Sequence, residues 1–286
     1  MRVTSSMMVR NTLRDLGNSL SRLQTTQTQL STGKQLTKAS DDPSAAANAM
    51  VLRKQLNQLT IRGRSLDDAK AWLQTADATL TSGLDLMSRA KEIAVRAANS
   101  GGLTDPNARL AMATQLRSLR ADMLGLANAT AGNRSIFNGT ATGAAYSAAG
   151  AYQGNAASVQ RDVTPGASLA VNITGPQVFG VAGGPVGDVF EVLDRLANAV
   201  AAGNDSAIAT EHTNLDNAAQ TMGAAAVDIG SRASRLEGIE NRNQDELLRL
   251  KTQLSNIEDI DVYALDLACL KSVRLLKTDC GFYRGL

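Results

Sequence analysis

The recurrence of large apolar residues every seven positions in one long segment is the feature that most constrains this fold. The repeat consists of Leu52, Leu59, Leu66, Leu73, Leu80 and Met87. A seven-residue period places these side chains along one narrow stripe of an α-helix, which favours packing against another long helix. Since no proline occurs between Pro43 and Pro106, we predict one helix from about Pro43 to about Asn99. Such a helix would be roughly 85 Å long at about 1.5 Å per residue, so it must lie in a rod of long helices.

Three other segments carry apolar stripes with alternating steps of four and three residues. The first contains Val9, Leu13, Leu16, Leu20, Leu23 and Leu30, with one polar interruption at Gln27 and a stop at Gly33. A shorter one contains Met112, Leu116, Leu119, Met123 and Leu126. The last runs in one register through Leu215, Met222, Ile229, Leu236, Leu250 and Ile257, and only Glu240 and Asn243 interrupt it. We expect these stripes to be covered by each other and by sister chains.

A region of different composition separates the helical arms. Residues 132–187 hold 11 of the 24 glycines and three of the five prolines, but only three charged residues. Within it, residues 168–174 and 177–181 are short β-like runs between turn signals. The predicted fold is therefore mainly α, an elongated antiparallel bundle or coiled-coil rod of N- and C-terminal arms with a small β-rich inserted domain.

Two aspartates mark the predicted helix starts. Asp42 precedes Pro43 and Asp105 precedes Pro106. An aspartate at the N-cap followed by proline at the first helical position is a common start signal, because proline lacks an N–H that would be unpaired there. The pair Asp41-Asp42 is therefore interpreted as capping and not as two carboxylates for acid–base catalysis.

Composition argues against several functional classes. The 29 basic and 27 acidic residues leave a net charge of +2, which supplies little long-range attraction for nucleic acid or anionic lipid. One histidine, His212, and two cysteines, Cys269 and Cys280, offer too few ligands for a zinc site of three or four His or Cys. We predict no metal, no cofactor, no nucleic-acid partner and no enzymatic activity, with His212 as an exposed helical residue.

The pattern also argues against membrane insertion. No run approaches about 18 uninterrupted apolar residues, and the first eight residues lack the long apolar segment of a secretory signal. If the protein leaves the cytoplasm, we expect export of an uncleaved chain.

Several motifs resemble those of the flagellin family. They are the start Met1–Met8, the run Leu30–Ala47, the helix Lys91–Asn99, the turn Asn133–Thr140, and the later segments Gly230–Glu237 and Leu254–Val262. The Ser40-Asp41-Asp42-Pro43 run and the Ile136-Phe137-Asn138-Gly139-Thr140 hairpin favour the members at the hook-filament junction over those that form the filament. The resemblance covers about residues 1–140 and 210–262.

The resemblance implies a domain division and a biological setting. Residues 1–42 would form an N-terminal axial helix, 43–131 and 188–262 the two halves of the rod, 132–187 the β-rich insert, and 263–286 a divergent tail in place of the C-terminal axial helix. The implied function is an extracellular structural adapter at the hook-filament junction, exported by the flagellar type III apparatus. The implied partners are sister copies, another hook-associated protein, flagellin and an export chaperone.

Two alternatives remain open from the sequence. Filament flagellin belongs to the same class and would form long homopolymers without hook partners. A cytoplasmic coiled-coil signalling module belongs to another class, and secretion or co-purification with hook-basal bodies would exclude it.

The chain departs from the family pattern after Val262. The register that holds through Ile257 would next place Asp261, Lys271 and Thr278 on the stripe, which is consistent with an altered reading frame or a degenerate end. We expect this tail to pair poorly with the stripe from Val9 to Leu30. Hydrogen exchange of the isolated protein should show residues 265–280 exchanging faster than the Leu215–Ile257 helix, and equal protection would contradict this.

Overall fold

The computed structural model describes residues 5–99, 105–164 and 166–261. Its helices and strands are α1 (Ser5–Thr32), α2 (Pro43–Asn99), α3 (Pro106–Ala127), β1 (Thr130–Ala131), β2 (Arg134–Ser135), β3 (Gln160–Thr164), β4 (Ala167–Ala170), α4 (Gly175–Phe179), α5 (Val189–Ala202) and α6 (Asp205–Glu258). The prediction of a mainly helical chain with long N- and C-terminal helices and a small β insertion is confirmed. The bounds of α2 coincide with the predicted ones.

The chain forms two compact units. One comprises residues 61–243, and the other comprises residues 1–60 with 244–286, of which the described part is 5–60 with 244–261. The predicted tail 263–286, with both cysteines, lies outside the described residues. The division into five segments made from the sequence stays a prediction.

In the unit of residues 61–243, α2 and α6 are paired antiparallel. Lys91 Nζ lies 2.6 Å from Asp216 Oδ1, and Lys70 Nζ lies 2.8 Å from Glu240 Oε2. Higher numbers in α2 thus pair with lower numbers in α6. The second pair also explains why Glu240 interrupts the apolar stripe of α6, since it accepts a charged hydrogen bond across the helix pair.

The two apolar stripes form the core of this unit. The α2 residues Leu66, Leu73, Leu80 and Met87 are buried together with Leu215, Met222, Ile229 and Leu236 of α6. The helices approach closely at Gly83, where a Cβ atom would lie 2.9 Å from Met222 Sδ and 3.7 Å from Met123 Sδ. Met123 belongs to α3, so α3 contributes to the same core.

Helix α3 also packs against α5. Arg120 Nε lies 2.6 Å from Asp194 Oδ2, and an Arg117 guanidinium nitrogen donates to Asn198 Oδ1 at 3.2 Å. The start of α5 is fixed by Asp188, which accepts a hydrogen bond from the Glu191 backbone N–H at 2.8 Å while the Glu191 side chain accepts one from the Asp188 N–H. This capping box satisfies two backbone N–H groups and fixes the residue at which α5 begins.

The β insertion consists of two antiparallel hairpins. Strand β1 pairs with β2, and β3 pairs with β4. Arg232 of α6 anchors the second hairpin, because its guanidinium donates to the carbonyl oxygens of Ala170 and Asn172 at 3.0 and 2.9 Å. Asn172 is itself buried and bonds to the backbone of Val159 and Ala157.

One predicted β-like run is wrong. Residues 177–179 of the expected strand 177–181 belong to helix α4. Thr174 is the N-cap, Gly175-Pro176 opens the helix, and the Gln177 side chain accepts from the Thr174 backbone N–H at 3.0 Å. The proline at a helix start and this capping box therefore outweigh the β propensity of valine and phenylalanine.

Aromatic side chains pack the insert against α5. The rings of Phe137, Tyr146, Phe179 and Phe190 lie with centroids 5.0 to 5.7 Å apart, mostly edge to face. Burial raises the pKa of the Tyr146 hydroxyl far above its usual range. The helices are instead packed with Leu, Ala and Met, which explains how a chain with 3% aromatic residues forms a dense core.

The buried stripe predicts the effect of core truncation. Leu80→Ala should lower the free energy of unfolding by about 2–5 kcal/mol, because Leu80 is buried and its loss leaves a cavity. Leu110→Ala is the matched control, since Leu110 is exposed and its truncation should change stability by about 0.5 kcal/mol or less. Urea unfolding followed by circular dichroism measures both. Equal effects would contradict the α2–α6 core.

Candidate assembly surface

The apolar stripe of α1 is exposed to solvent. The exposed fractions are 62% for Leu13, 48% for Leu16 and 55% for both Leu20 and Leu30. Leu23 is half-buried, and the side chain of Val9 is outside the described part of the structure. An amphipathic helix gains little stability in water unless its apolar face is covered. Helix α1 therefore carries a stripe that needs a covering surface.

The stripes of α2 and α6 have a different environment. Leu59, Leu66, Leu73, Leu80, Met87, Leu215, Met222, Ile229, Leu236 and Leu250 are buried within the chain, while Leu52 and Ile257 are half-buried. Most of the residues that the sequence nominates for subunit packing thus pack inside one chain. Of the nominated residues, those that remain available to another molecule are the exposed leucines of α1, together with Leu52 at the start of α2 and Ile257 at the end of α6, which are half-buried.

Both nominated capping aspartates lie at helix starts. Asp105 Oδ1 accepts a hydrogen bond from the Asn107 N–H at 2.9 Å, and Asp42 Oδ1 accepts one from the Ala45 N–H at 2.9 Å. Asp41 instead accepts from Thr37 and from the Lys38 N–H in the turn before α2. The neighbouring carboxylates therefore satisfy backbone and hydroxyl donors.

A second feature connects the segment after α1 to the end of α6, and we call it the terminal joint. It consists of Gly33–Gln35, Arg53 and Glu258–Ile260. The Gln35 N–H donates to the Glu258 carbonyl oxygen at 2.7 Å, and the Ile260 N–H donates to the Gly33 carbonyl oxygen at 3.2 Å. Gly33 has φ of 68°, a left-handed conformation that suits glycine.

The carboxylate of Glu258 holds the terminal joint together. Its Oε2 lies 3.2 Å from Lys34 Nζ and its Oε1 lies 2.8 Å from an Arg53 guanidinium nitrogen, while the residue is only 4% exposed. The hydrogen bond from Arg53, aided by that from Lys34, lowers the pKa of Glu258 below its usual 4.5. Sequence periodicity missed this group, because it scores Glu258 only as a polar neighbour of Ile257.

The remaining chemistry of the chain is sparse. His212 is partly exposed on α6, with Nδ1 3.5 Å from Asp216 Oδ2 of the same helix. Across the part of the chain that the structure describes, no group of three or more His, Cys, Asp or Glu side chains could hold a metal ion. None of the helices within the described ranges has both the length and the apolar character that a membrane crossing requires.

Comparisons with known proteins agree with this architecture. The family model described as bacterial flagellin N-terminal helical region matches residues 3–142. Flagellar hook-associated protein 3 of Salmonella typhimurium is 30% identical over 284 residues, covering 91% of this chain and 89% of that protein. Flagellin of Bacillus subtilis is 25% identical, covering 90% and 84%. A flagellar hook-associated protein from Vibrio parahaemolyticus has a similar fold, with a TM-score of 0.70, 21% identity and coverage of 77% and 100%.

The paired long helices and the small β insertion define a flagellin-type structural protein, without enzymatic activity. The chain belongs to the flagellar hook-associated protein 3 family, the hook-filament junction proteins of the extracellular flagellum. It assembles with other flagellar proteins.

The lowered pKa of Glu258 predicts a pH-dependent contribution to stability. A carboxylate with a lower pKa in the folded than in the unfolded chain stabilises the fold above the unfolded pKa, and this contribution is lost as pH falls through the folded pKa. Glu258→Gln should therefore lower the free energy of unfolding at pH 7, and the difference from wild type should shrink toward pH 3. Asp245→Asn, at an exposed position of α6, is the control for replacing an acidic side chain by its amide and should change the free energy of unfolding by about 0.5 kcal/mol or less.

Proposed function

We propose that this chain joins hook and filament by burying the stripe of α1 against neighbouring subunits. The observation that carries the proposal is the row of exposed leucines on a helix whose apolar residues keep the coiled-coil spacing. Fully burying an exposed leucine contributes about 1.5–3 kcal/mol. Leu13, Leu16, Leu20 and Leu30 are about half exposed, so covering each of them contributes roughly half of that amount toward binding a partner.

The proposed occupants of the α1 surface are sister copies arranged side by side. Such copies present one end of the assembly to another hook-associated protein and the other end to flagellin. Before assembly, an exposed stripe of this kind is an aggregation hazard, and a cytoplasmic chaperone that covers the chain until export through the type III apparatus would remove it.

Filament flagellin is the rival within the same family, and assembly behaviour separates the two. A junction protein adds to hook ends in a limited number of copies and then accepts flagellin. A filament protein continues to add copies of itself. We expect the purified chain to saturate isolated hook-basal bodies that lack it, without growing a fibre, as measured by electron microscopy.

Polar substitutions on α1 test the proposal directly. Leu13→Asn with Leu20→Asn should abolish binding to hook-basal bodies that lack this protein, because it removes two exposed contacts from the stripe. Stability should change by about 0.5 kcal/mol or less per substitution, since neither side chain is buried in the single chain. Bound protein is measured by quantitative immunoblot after sedimentation.

The matched control is Leu13→Met with Leu20→Met, which retains apolar side chains at the same positions and should bind as wild type does. Purified protein is used, so that an export defect cannot imitate an assembly defect. Normal binding by the Asn variant would contradict the role of the α1 stripe.

A further inference from the structure

The terminal joint brings into contact residues that are far apart in the sequence. Lys34 and Glu258 are 224 positions apart in the sequence. Nevertheless, the Gln35 N–H donates to the Glu258 carbonyl oxygen and the Ile260 N–H donates to the Gly33 carbonyl oxygen. Lys34 and Asp259 form an isolated antiparallel bridge between them. The ends of α1 and α6 are therefore fixed to each other in a defined register.

The Glu258 side chain extends this connection to a third segment. Arg53 lies on α2 and Lys34 on the linker between α1 and α2, and both cations meet the same carboxylate. The side chains of the cations are about half exposed, whereas the Glu258 side chain is only 5% exposed. A buried charge is retained only where partners compensate it. One carboxylate thus holds the linker, the start of α2 and the end of α6.

A side-chain hydrogen bond of α1 connects this helix to the terminal joint. The hydroxyls of Thr25, Thr26 and Thr28 donate to carbonyl oxygens one turn earlier in the same helix. Gln29 instead donates through Nε2 to the carbonyl oxygen of Gln35, a residue of the terminal joint, at 3.0 Å. The exposed leucines lie N-terminal to this anchor, except for Leu30 beside it.

We infer that Glu258 is a positioning residue for assembly, which fixes where and in what direction α1 leaves the start of α2 and the end of α6. The inference rests on the proposed function, because it concerns the helix that carries the assembly stripe. Holding α1 in one direction before partners arrive reduces the conformational entropy lost on binding. When the contacts of the terminal joint are broken, the leucines of α1 are unchanged, but the helix that carries them can adopt a wide range of orientations.

Distance measurements between spin labels test the positioning role. Labels are placed at exposed positions by Gln24→Cys on α1 and Asn57→Cys on α2, in full-length protein with Cys269→Ser and Cys280→Ser. Glu258→Gln and Lys34→Met should both broaden the distance distribution. Lys34→Arg retains a cation and should keep the narrow distribution. Lys70→Met, which removes the separate pair with Glu240, should also leave it unchanged.

Hydrogen exchange gives a second readout. The backbone N–H groups of Gln35 and Ile260 should exchange about tenfold faster or more in Glu258→Gln, because local opening no longer has to separate the charged groups. Lys34→Met leaves Glu258 paired with Arg53, so it provides a folded variant if Glu258→Gln fails to fold. An unchanged distribution and unchanged exchange in Lys34→Met and in any folded Glu258→Gln would overturn the inference.

Binding to hook-basal bodies separates this inference from the proposed function. Glu258→Gln and Lys34→Met should bind about tenfold more weakly than wild type, in line with the added cost of ordering α1. Wild-type binding by both, together with lost binding by Leu13→Asn with Leu20→Asn, would overturn the positioning role alone. Wild-type binding by the leucine variant would overturn the proposed function.

Discussion

An apolar stripe on a helix must be covered, and this requirement organises the whole chain. Where α2 and α6 face each other in the unit of residues 61–243, the requirement is met internally, and the stripes become a core of leucine, methionine and alanine. On α1 the same spacing of leucines leaves Leu13, Leu16, Leu20 and Leu30 about half exposed or more in the part of the chain that the structure describes. One physical pattern thus produces a buried core in one place and, in another, an exposed stripe that we propose as the assembly surface.

The helical framework could be predicted from the sequence because its signals are local and repeated. The seven-residue period from Leu52 to Met87 defined α2, and Asp105-Pro106 defined the start of α3. The prediction of a strand at residues 177–181 is wrong because the helix start depends on Thr174 and Pro176, which precede the apolar residues that favour a strand, and on the Gln177 side chain that completes the capping box with Thr174. Periodicity also could not decide whether a stripe is covered by its own chain or by another.

The terminal joint was not predictable by the same reasoning. Its groups are single charged residues, Lys34, Arg53 and Glu258, drawn from separate parts of the chain. No periodic pattern relates them, and their pairing follows only from the antiparallel return of α6. The motifs Leu30–Ala47 and Leu254–Val262, which carried the family resemblance, nevertheless contain Lys34 and Glu258. The ion pair between Lys34 and Glu258 is the physical role that we assign to these two motif residues.

The bridge between Lys34 and Asp259 also determines how mechanical load travels through the unit that contains α1. Tension applied along α1 reaches α2 through the covalent linker of residues 33–42. It also reaches α6 directly, through the hydrogen bonds that join Gln35 to Glu258 and Ile260 to Gly33. Tension on α1 is therefore shared between α2 and α6 and is not carried by the covalent linker alone, which suits a structural component of the flagellum.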